Sequence, residues 1–189
     1  MPGMSARLRG IAKDTEEIVA VGRYQAPDGR PVSIGPEVTA SLEGTAMYGP
    51  GPVPVTPDTD RTTCFEVTAE SSLEAARRLT EAGPGPVAVL NFSSARNPGG
   101  GYLNGAQAQE EDLCRASALY ATLLRVPEFY DHHRAERSPF YTDRVILPHS
   151  LRHGRYPQPA CRSSATTGDG CSTPRTRWDS SPHPHPTPG

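Results

Sequence analysis

The chain has 189 residues, 35% of them hydrophobic and 21% charged, and its formal net charge at pH 7 is -2. This length allows one domain of ordinary size, or a smaller domain with a tail. A charge so near zero gives no electrostatic sign of a nucleic-acid or membrane surface, so we expect neither as a partner; oligomeric state is left open.

The cysteines and the apolar runs indicate the cellular setting. Four cysteines, at positions 64, 114, 161 and 171, show no CxxC spacing. Cys64 and Cys114 fall in predicted regular elements, where a free cysteine usually packs as a small hydrophobic side chain. No run approaches the roughly 20 apolar residues of a membrane span, and the N-terminus lacks the apolar core of a secretory signal. We predict a soluble protein of the reducing cytoplasm.

Two helices and a short strand are predicted in the first 60 residues. Apolar side chains at helical spacing predict an amphipathic helix over residues 5–21, with Gly22 as its stop. Alternation in RPVSI predicts a strand over residues 30–34, and a helix follows over residues 36–44. The prolines and glycines of YGPGPVPVTP predict an extended loop over residues 48–57.

A strand, a helix and a second strand are predicted next. Residues 62–70 alternate as a strand does, and Ser71 with Glu74 then has the spacing of a capping box. Gly83 stands where a helix end favours a left-handed residue. The apolar run PVAVLNF, residues 86–92, is typical of a strand covered on both faces, which places Phe92 in the core. This succession predicts a βαβ unit, and hence an α/β fold.

A further helix is predicted over residues 105–124, because Asn104 and Gln107 have capping-box spacing. Its predicted buried side comprises Leu113, Ala116, Tyr120, Leu123 and Leu124. A strand is predicted over residues 144–147. His132 and His133, after PEFYD, are predicted to be surface residues of a short helix.

The composition changes after residue 147. Proline, serine, threonine, arginine and histidine dominate residues 148–189, which predicts a disordered tail. Its sequence also resembles a GC-rich gene read in the wrong frame. His149, His153, Cys161 and Cys171 suggest a zinc site on paper, but with irregular cysteine spacing and no predicted helix we do not predict one.

The segment NPGGGYLNGAQAQEED, residues 97–112, carries the most specific chemistry. Glycines after a buried strand let the backbone approach a ligand closely, and their N-H groups beside a helix start suit an anion such as a diphosphate. A flexible turn is the alternative reading. A doubled carboxylate follows at Glu110 and Glu111. Successive helical side chains diverge by roughly 100°, so one of the two is expected to aim over the glycines, while the other takes a supporting or surface role.

A carboxyl group held over a sugar-phosphate site suits glycosidic chemistry. The string GGG-x7-QEE, preceded by LNFSSARNP and followed by DLCRASALY, resembles the signature of the bacterial-type poly(ADP-ribose) glycohydrolases. The N-terminal strings RLRGIAKDTEEIVAVGRY and GRPVSI resemble that family's N-terminal extension. The resemblance runs from about residue 5 to residue 146.

The resemblance implies a macrodomain: a three-layer α/β/α fold with a mixed sheet, incomplete here at its C-terminal side. It divides the chain into an N-terminal extension (1–60), a partial catalytic core (61–147) and a low-complexity tail (148–189). Family members continue with further strands and a second glycine-rich loop. Gly168 and Gly170 in TTGDGC neither follow a strand nor precede a helix. We therefore predict reduced or absent activity for this chain.

The resemblance also implies the reaction, which is hydrolysis of the ribose-ribose O-glycosidic bond of poly(ADP-ribose) with release of ADP-ribose. Glu111, the second glutamate of QEE, is implied to be the catalytic acid, and Glu110 to help bind the ribose of the scissile bond. No metal or redox cofactor is implied. The resemblance also implies Asn97, Gly99, Gly100 and Gly101 as ligand residues, and we expect Gln109 and Tyr102, in the same segment, as further ligand residues.

Three alternatives stay open at this point. The chain is also consistent with a non-catalytic ADP-ribose-binding module, an inert fragment, or a protein that binds another nucleotide. For Tyr102, packing on a ribose or adenine competes with simply filling space beside the glycines. The polymer, a mono-ADP-ribosylated protein and a small ADP-ribose derivative are not distinguished as substrates.

Overall fold

The computed structural model describes residues 3–56, 62–83, 85–136, 138 and 140–148. The predicted tail, its histidines and cysteines and the TTGDGC glycines lie outside the described residues, apart from Pro148.

The N-terminal region follows the prediction closely. Helix α1 spans Met4–Val21 and ends at Gly22, whose φ of 71° is left-handed. Strands β1 (Arg23–Gln25) and β2 (Pro31–Ser33) form an antiparallel hairpin, and helix α2 spans Gly35–Glu43. The sequence predicted β2 and both helices but missed β1, because a three-residue strand carries too few positions to show alternation.

A second two-stranded sheet joins distant parts of the chain. Strand β3 (Ala46–Tyr48) pairs antiparallel with β4 (Val145–Leu147), with Met47 opposite Ile146. The sequence predicted β4, but it placed Tyr48 in the loop that follows. Because β3 lies before residue 60 and β4 near residue 147, the predicted extension and the predicted core share a sheet.

The predicted strands over residues 62–70 and 86–92 were wrong for the described chain, and with them the βαβ unit. Neither segment is a strand, and Phe65, Val67, Leu90 and Phe92 are 83%, 91%, 73% and 71% exposed. Phe92 is therefore not in the core, and Cys64 is exposed too. An alternating sequence forms a strand only beside a partner strand, and the described residues provide none.

Between those segments, helix α3 (Ser72–Ala82) confirms the predicted capping box. The Ser71 hydroxyl accepts from the Glu74 N-H, and the Glu74 carboxylate accepts from the Ser71 N-H at 2.8 Å. Gly83 does not adopt the predicted left-handed conformation, since its φ of -172° is ordinary extended backbone.

The predicted helix over residues 105–124 is broken into shorter elements. A 3₁₀ turn at Tyr102–Asn104 is followed by α4 (Gln109–Arg115), α5 (Leu119–Leu123) and α6 (Pro127–Ala135). The capping box assigned to Asn104 and Gln107 was wrong, because α4 begins at Gln109 after Ala108. Gly105, with a φ of 76°, ends the 3₁₀ turn, and the Ser117 hydroxyl bonds the Leu113 carbonyl at the α4–α5 break.

The larger hydrophobic core collects side chains from α1, the 3₁₀ turn and α4 to α6. Its buried members are Ala12, Tyr102, Leu113, Cys114, Leu119, Leu123, Val126, Phe129 and Tyr130. Cys114 thus packs as a small hydrophobic side chain, as predicted, whereas Leu124 is 51% exposed. Among the described residues, no helix combines the length and apolar character needed to cross a bilayer.

Candidate active site

The glycine segment, residues 97–105, winds through successive tight turns. Gly99 and Gly100 have φ values of 66° and 57°, a region that L side chains rarely adopt. The Gly100 N-H donates to the Asn97 carbonyl at 3.0 Å, and the Tyr102 N-H donates to the Gly99 carbonyl at 3.0 Å. These two hydrogen bonds, each between residues three positions apart, give the segment a defined turn conformation.

The glycines are required by the carboxyl groups that approach them. A Cβ atom on Gly100 would lie 2.6 Å from Glu111 Oε1 and 3.1 Å from Glu110 Oε2. A Cβ on Gly99 would lie 2.8 Å from the Tyr120 ring. Any side chain at either position would displace these neighbours, which explains why the glycines and the doubled carboxylate occur together.

Glu111 lies over the glycine segment. It is 6% exposed, and its Oε1 accepts a hydrogen bond of 2.8 Å from the Gly101 N-H. Its Oε2 is buried and has no hydrogen-bond partner among the described residues. One oxygen of this carboxyl group is therefore held by the backbone, and the other is buried without a partner in the part of the chain that the structure describes.

A supporting role or a surface role was expected for the second glutamate, and Glu110 has the supporting role. It is 3% exposed, its Oε2 accepts from the Ser94 N-H at 2.8 Å, and its Oε1 accepts from Asn91 Nδ2 at 3.3 Å. The prediction that only one of the two glutamates would aim over the glycines was wrong, since both carboxyl groups reach Gly100. The segment at residues 91–94 runs beside the glycines, so side chains on adjacent helical positions contact neighbouring backbone.

The glycine N-H groups do not form the open anion site that the sequence suggested. The Gly101 N-H is used by Glu111 and the Gly100 N-H by Asn97. The Gly99 N-H is used by Glu110. Burial raises the pKa of Glu110, and the hydrogen bond from Gly99 lowers it by less. The amide donors of Gly99, Gly100 and Gly101 are therefore all used within the chain.

Two residues expected to bind a ligand have other partners. The Gln109 amide accepts from the Phe92 N-H at 2.8 Å and donates to the Leu90 carbonyl at 2.6 Å, so it holds the extended segment as a neighbouring strand would. Tyr102 is 0% exposed and its hydroxyl contacts α1, so its side chain fills space between the glycine segment and α1. Asn97 is exposed beside the glycines, and its N-H donates to Ser94 Oγ at 3.2 Å.

Sequence reasoning missed Asn91 and placed His133 wrongly. Asn91 Nδ2 donates to Glu110, and Asn91 Oδ1 is buried without a partner in the described structure. The sequence feature that could have identified this residue is a single amide within the apolar run PVAVLNF. His133 is not the predicted surface residue but is 5% exposed, with Nδ1 2.7 Å from the Phe129 carbonyl and Nε2 bonded to Thr142. The described residues contain no group of three or more side chains suited to a metal ion.

Replacing Glu110 by glutamine is expected to make the free energy of unfolding less dependent on pH. Burial raises the pKa of Glu110 above its ordinary 4.5, so the folded state holds this proton more tightly than the unfolded state. The corresponding stability is present below pH 4.5 and is lost as the pH rises through the folded-state pKa. Glutamine does not titrate.

Urea unfolding at a series of pH values in this range gives the free energy of unfolding at each pH. The effect is the difference between the wild type and the variant in how steeply that free energy changes with pH. Asp112→Asn, which removes an exposed carboxylate from the same helix, is the matched control. Equal slopes for the wild type and Glu110→Gln contradict the assignment of Glu110 as a buried group with a raised pKa.

Comparison with known proteins gives one consistent family. The family model described as the microbial-type PARG catalytic domain matches residues 12–151. The chain is similar to the crystal structure of poly(ADP-ribose) glycohydrolase from Thermomonospora curvata, with 46% identity and a TM-score of 0.69 over 75% of this chain and 54% of that one. A second structure of that protein, bound to the inhibitor ADP-HPD, gives 46% identity and a TM-score of 0.67 over 75% and 52%. A comparison with curated proteins gives no match.

These matches confirm the predicted fold class and the family resemblance, although the strands assigned to residues 62–70 and 86–92 are not formed. The chain spans about half the length of the solved relatives that it matches.

Proposed function

The chain belongs to the family of microbial-type PARG catalytic domains, and on this premise we propose that it hydrolyses the ribose-ribose O-glycosidic bonds of poly(ADP-ribose) and releases ADP-ribose in the cytoplasm. The observation that carries the proposal is the buried Glu111 carboxyl group, with one oxygen held by the Gly101 N-H and the other without a partner among the described residues. The Thermomonospora relative, which binds ADP-HPD, supports a ligand of the ADP-ribose class.

In the proposed mechanism, Glu111 acts as a single acid and base. Its Oε2 donates a proton to the departing ribose oxygen as the glycosidic C-O bond breaks, and positive charge develops on the remaining sugar carbon. The resulting carboxylate then takes a proton from the water molecule that adds to this carbon. Because Glu111 first donates and then accepts a proton, it ends in the protonation state in which it began. The proposed reaction uses no metal or redox cofactor.

The position of Glu110 argues against the widely separated pair of carboxyl groups that an inverting glycosidase uses. Glu111 Oε1 and Glu110 Oε2 lie 2.6 Å and 3.1 Å from the same point beside Gly100. These oxygens are therefore closer together than the roughly 6.5–9.5 Å between the carboxyl groups of an inverting glycosidase. Glu110 is also bonded to Ser94 and Asn91, so we propose that it supports the site and reaches the ribose of the scissile bond from there.

We propose that the glycines and Asn97 receive the ribose and diphosphate within a macrodomain-like core over residues 61–147, with residues 1–60 as the N-terminal extension. Because Gly99 to Gly101 carry no side chains, we propose that a sugar packs against this backbone beside Glu111. The exposed side chain of Asn97 offers a hydroxyl partner at the same place.

A non-catalytic ADP-ribose-binding module is the second candidate, because the chain spans only 54% of the solved glycohydrolase. Both candidates use the same glycine segment. They differ in whether the Glu111 proton is transferred.

Two assays on the purified chain separate the candidates. Calorimetry measures ADP-ribose binding, with other nucleotides as competitors, and chromatography measures ADP-ribose released from the polymer. Binding with slow release, below that of the Thermomonospora enzyme, is the expected result. Binding without any release supports the module, neither effect indicates an inert fragment, and preference for another nucleotide contradicts both candidates.

A further inference from the structure

Helix α1 contacts the glycine segment and the end of helix α4. The Ser5 carbonyl approaches Gly105 so closely that a Cβ atom there would lie 2.5 Å away. Thr15 Oγ1 lies 3.0 Å from the Arg115 carbonyl at the end of α4, and Arg115 Nη1 donates to the Ala106 carbonyl at 2.9 Å. The helix therefore lies against both the glycine segment and the helix that carries Glu111.

Tyr102 connects the glycine segment with α1. Its N-H donates to the Gly99 carbonyl at 3.0 Å, and its ring centroid lies 5.1 Å from that of Tyr120, the side chain that contacts Gly99. Its hydroxyl lies 3.1 Å from the Ala12 carbonyl and 3.0 Å from Glu16 Oε1. Because the side chain is 0% exposed, it has no room to adopt another rotamer.

Glu16 is the charged partner in this connection. Burial raises its pKa, and the hydrogen bond from Tyr102 lowers it by less. The Tyr102 hydroxyl has two acceptors on α1, the Ala12 carbonyl and Glu16 Oε1, and Glu16 is the one that a side-chain substitution can remove. A hydrogen bond to a carboxylate in a partly buried place is stronger than one between neutral groups.

We propose that Glu16 is a positioning residue: its hydrogen bond to the Tyr102 hydroxyl holds the glycine segment in the conformation in which the Gly101 N-H meets Glu111. The link to substrate binding rests on the proposed function, whereas the link to the Gly101 conformation does not. The Tyr102 hydroxyl also contacts the Ala12 carbonyl, 90 positions earlier in the sequence. By this proposal the N-terminal helix positions the glycine segment.

The test follows the Gly101 amide by nuclear magnetic resonance, because its chemical shift and its exchange with solvent report the hydrogen bond to Glu111 directly. Glu16→Ala and Tyr102→Phe are expected to move the Gly101 resonance and to speed its exchange by about five- to tenfold, as for loss of one hydrogen bond. Glu16→Gln keeps an acceptor and is expected to resemble the wild type. Glu17→Ala, on the exposed neighbour in α1, is the matched control.

The Tyr130 amide in helix α6 serves as an internal reference for general loss of stability. Faster exchange at Gly101 alone supports the positioning role, whereas equal acceleration at both amides overturns it. An unchanged Gly101 resonance in Glu16→Ala also overturns it, as does Glu16→Gln behaving like Glu16→Ala.

Calorimetry with ADP-ribose tests the link to binding separately. Weaker binding by Glu16→Ala than by Glu17→Ala is expected, and equal binding overturns the link between Glu16 and the ligand. If the wild type itself does not bind ADP-ribose, the proposed function fails, while the result at the Gly101 amide still decides the positioning role.

Discussion

Replacing Glu111 by glutamine is expected to lower the rate of ADP-ribose release by about 10²- to 10⁴-fold, the contribution of a well-placed general acid or base. The glutamine carbonyl still accepts from the Gly101 N-H, where Glu111 Oε1 now lies at 2.8 Å. The amide has no proton to transfer to the departing sugar oxygen. The fold and ADP-ribose affinity should therefore change little, while release slows in a chromatographic assay.

Asp112→Asn is the control for this substitution, because Asp112 is the next residue on the same helix and its side chain is 64% exposed. Asparagine keeps a side-chain oxygen that can still accept from Arg115 Nη2, whose side chain is only 7% exposed. Release by Asp112→Asn should match the wild type. Retention of the wild-type rate by Glu111→Gln would show that another group supplies the proton.

Replacing Gly100 by alanine is the second change with a large expected effect. The added methyl group would lie 2.6 Å from Glu111 Oε1 and 3.1 Å from Glu110 Oε2, so both carboxyl groups must move. A displacement of about 1 Å at a reacting group lowers rates by about 10²-fold. We expect release to fall at least that far and ADP-ribose binding to weaken.

Gly29→Ala separates this contact from backbone strain. Gly29 has a φ of 79° at the β1–β2 turn, and an added Cβ there meets nothing within 4 Å. Both variants bear the cost of about 1–2 kcal/mol of a left-handed alanine, but only Gly100→Ala displaces the carboxyl groups. Thermal unfolding and release are measured on both variants; an equal loss of activity would mean that the contact at Gly100 plays no part.

Elements stabilised by their own sequence were predictable, and elements that need a distant partner were not. The α3 capping box is a contact between Ser71 and Glu74, three residues apart, so spacing alone reveals it. Residues 62–70 have the alternation of a strand, but pairing depends on another segment, and Phe65 and Val67 remain exposed. Strand β3 was missed for the related reason that its partner β4 lies about 100 residues away.

The candidate site was predictable to a similar extent. The glycines and the doubled carboxylate identified the segment, and the structure places Glu111 over Gly101. The direction of individual side chains was not available from spacing, because the packing of α1 and of residues 90–94 decides it. Tyr102 faces α1, and Gln109 faces Leu90 and Phe92, which the spacing alone did not indicate.

The central claim is that the surface formed by Gly99 to Gly101 and Glu111 receives the ribose and diphosphate of ADP-ribose. Titration of the isotope-labelled chain with ADP-ribose, followed through its backbone amide resonances, tests this claim most directly. We expect saturable shifts at Gly99, Gly100, Gly101 and Glu111, with no change at Gly29 in the β1–β2 turn. Saturable shifts elsewhere that leave these four amides unmoved would contradict it.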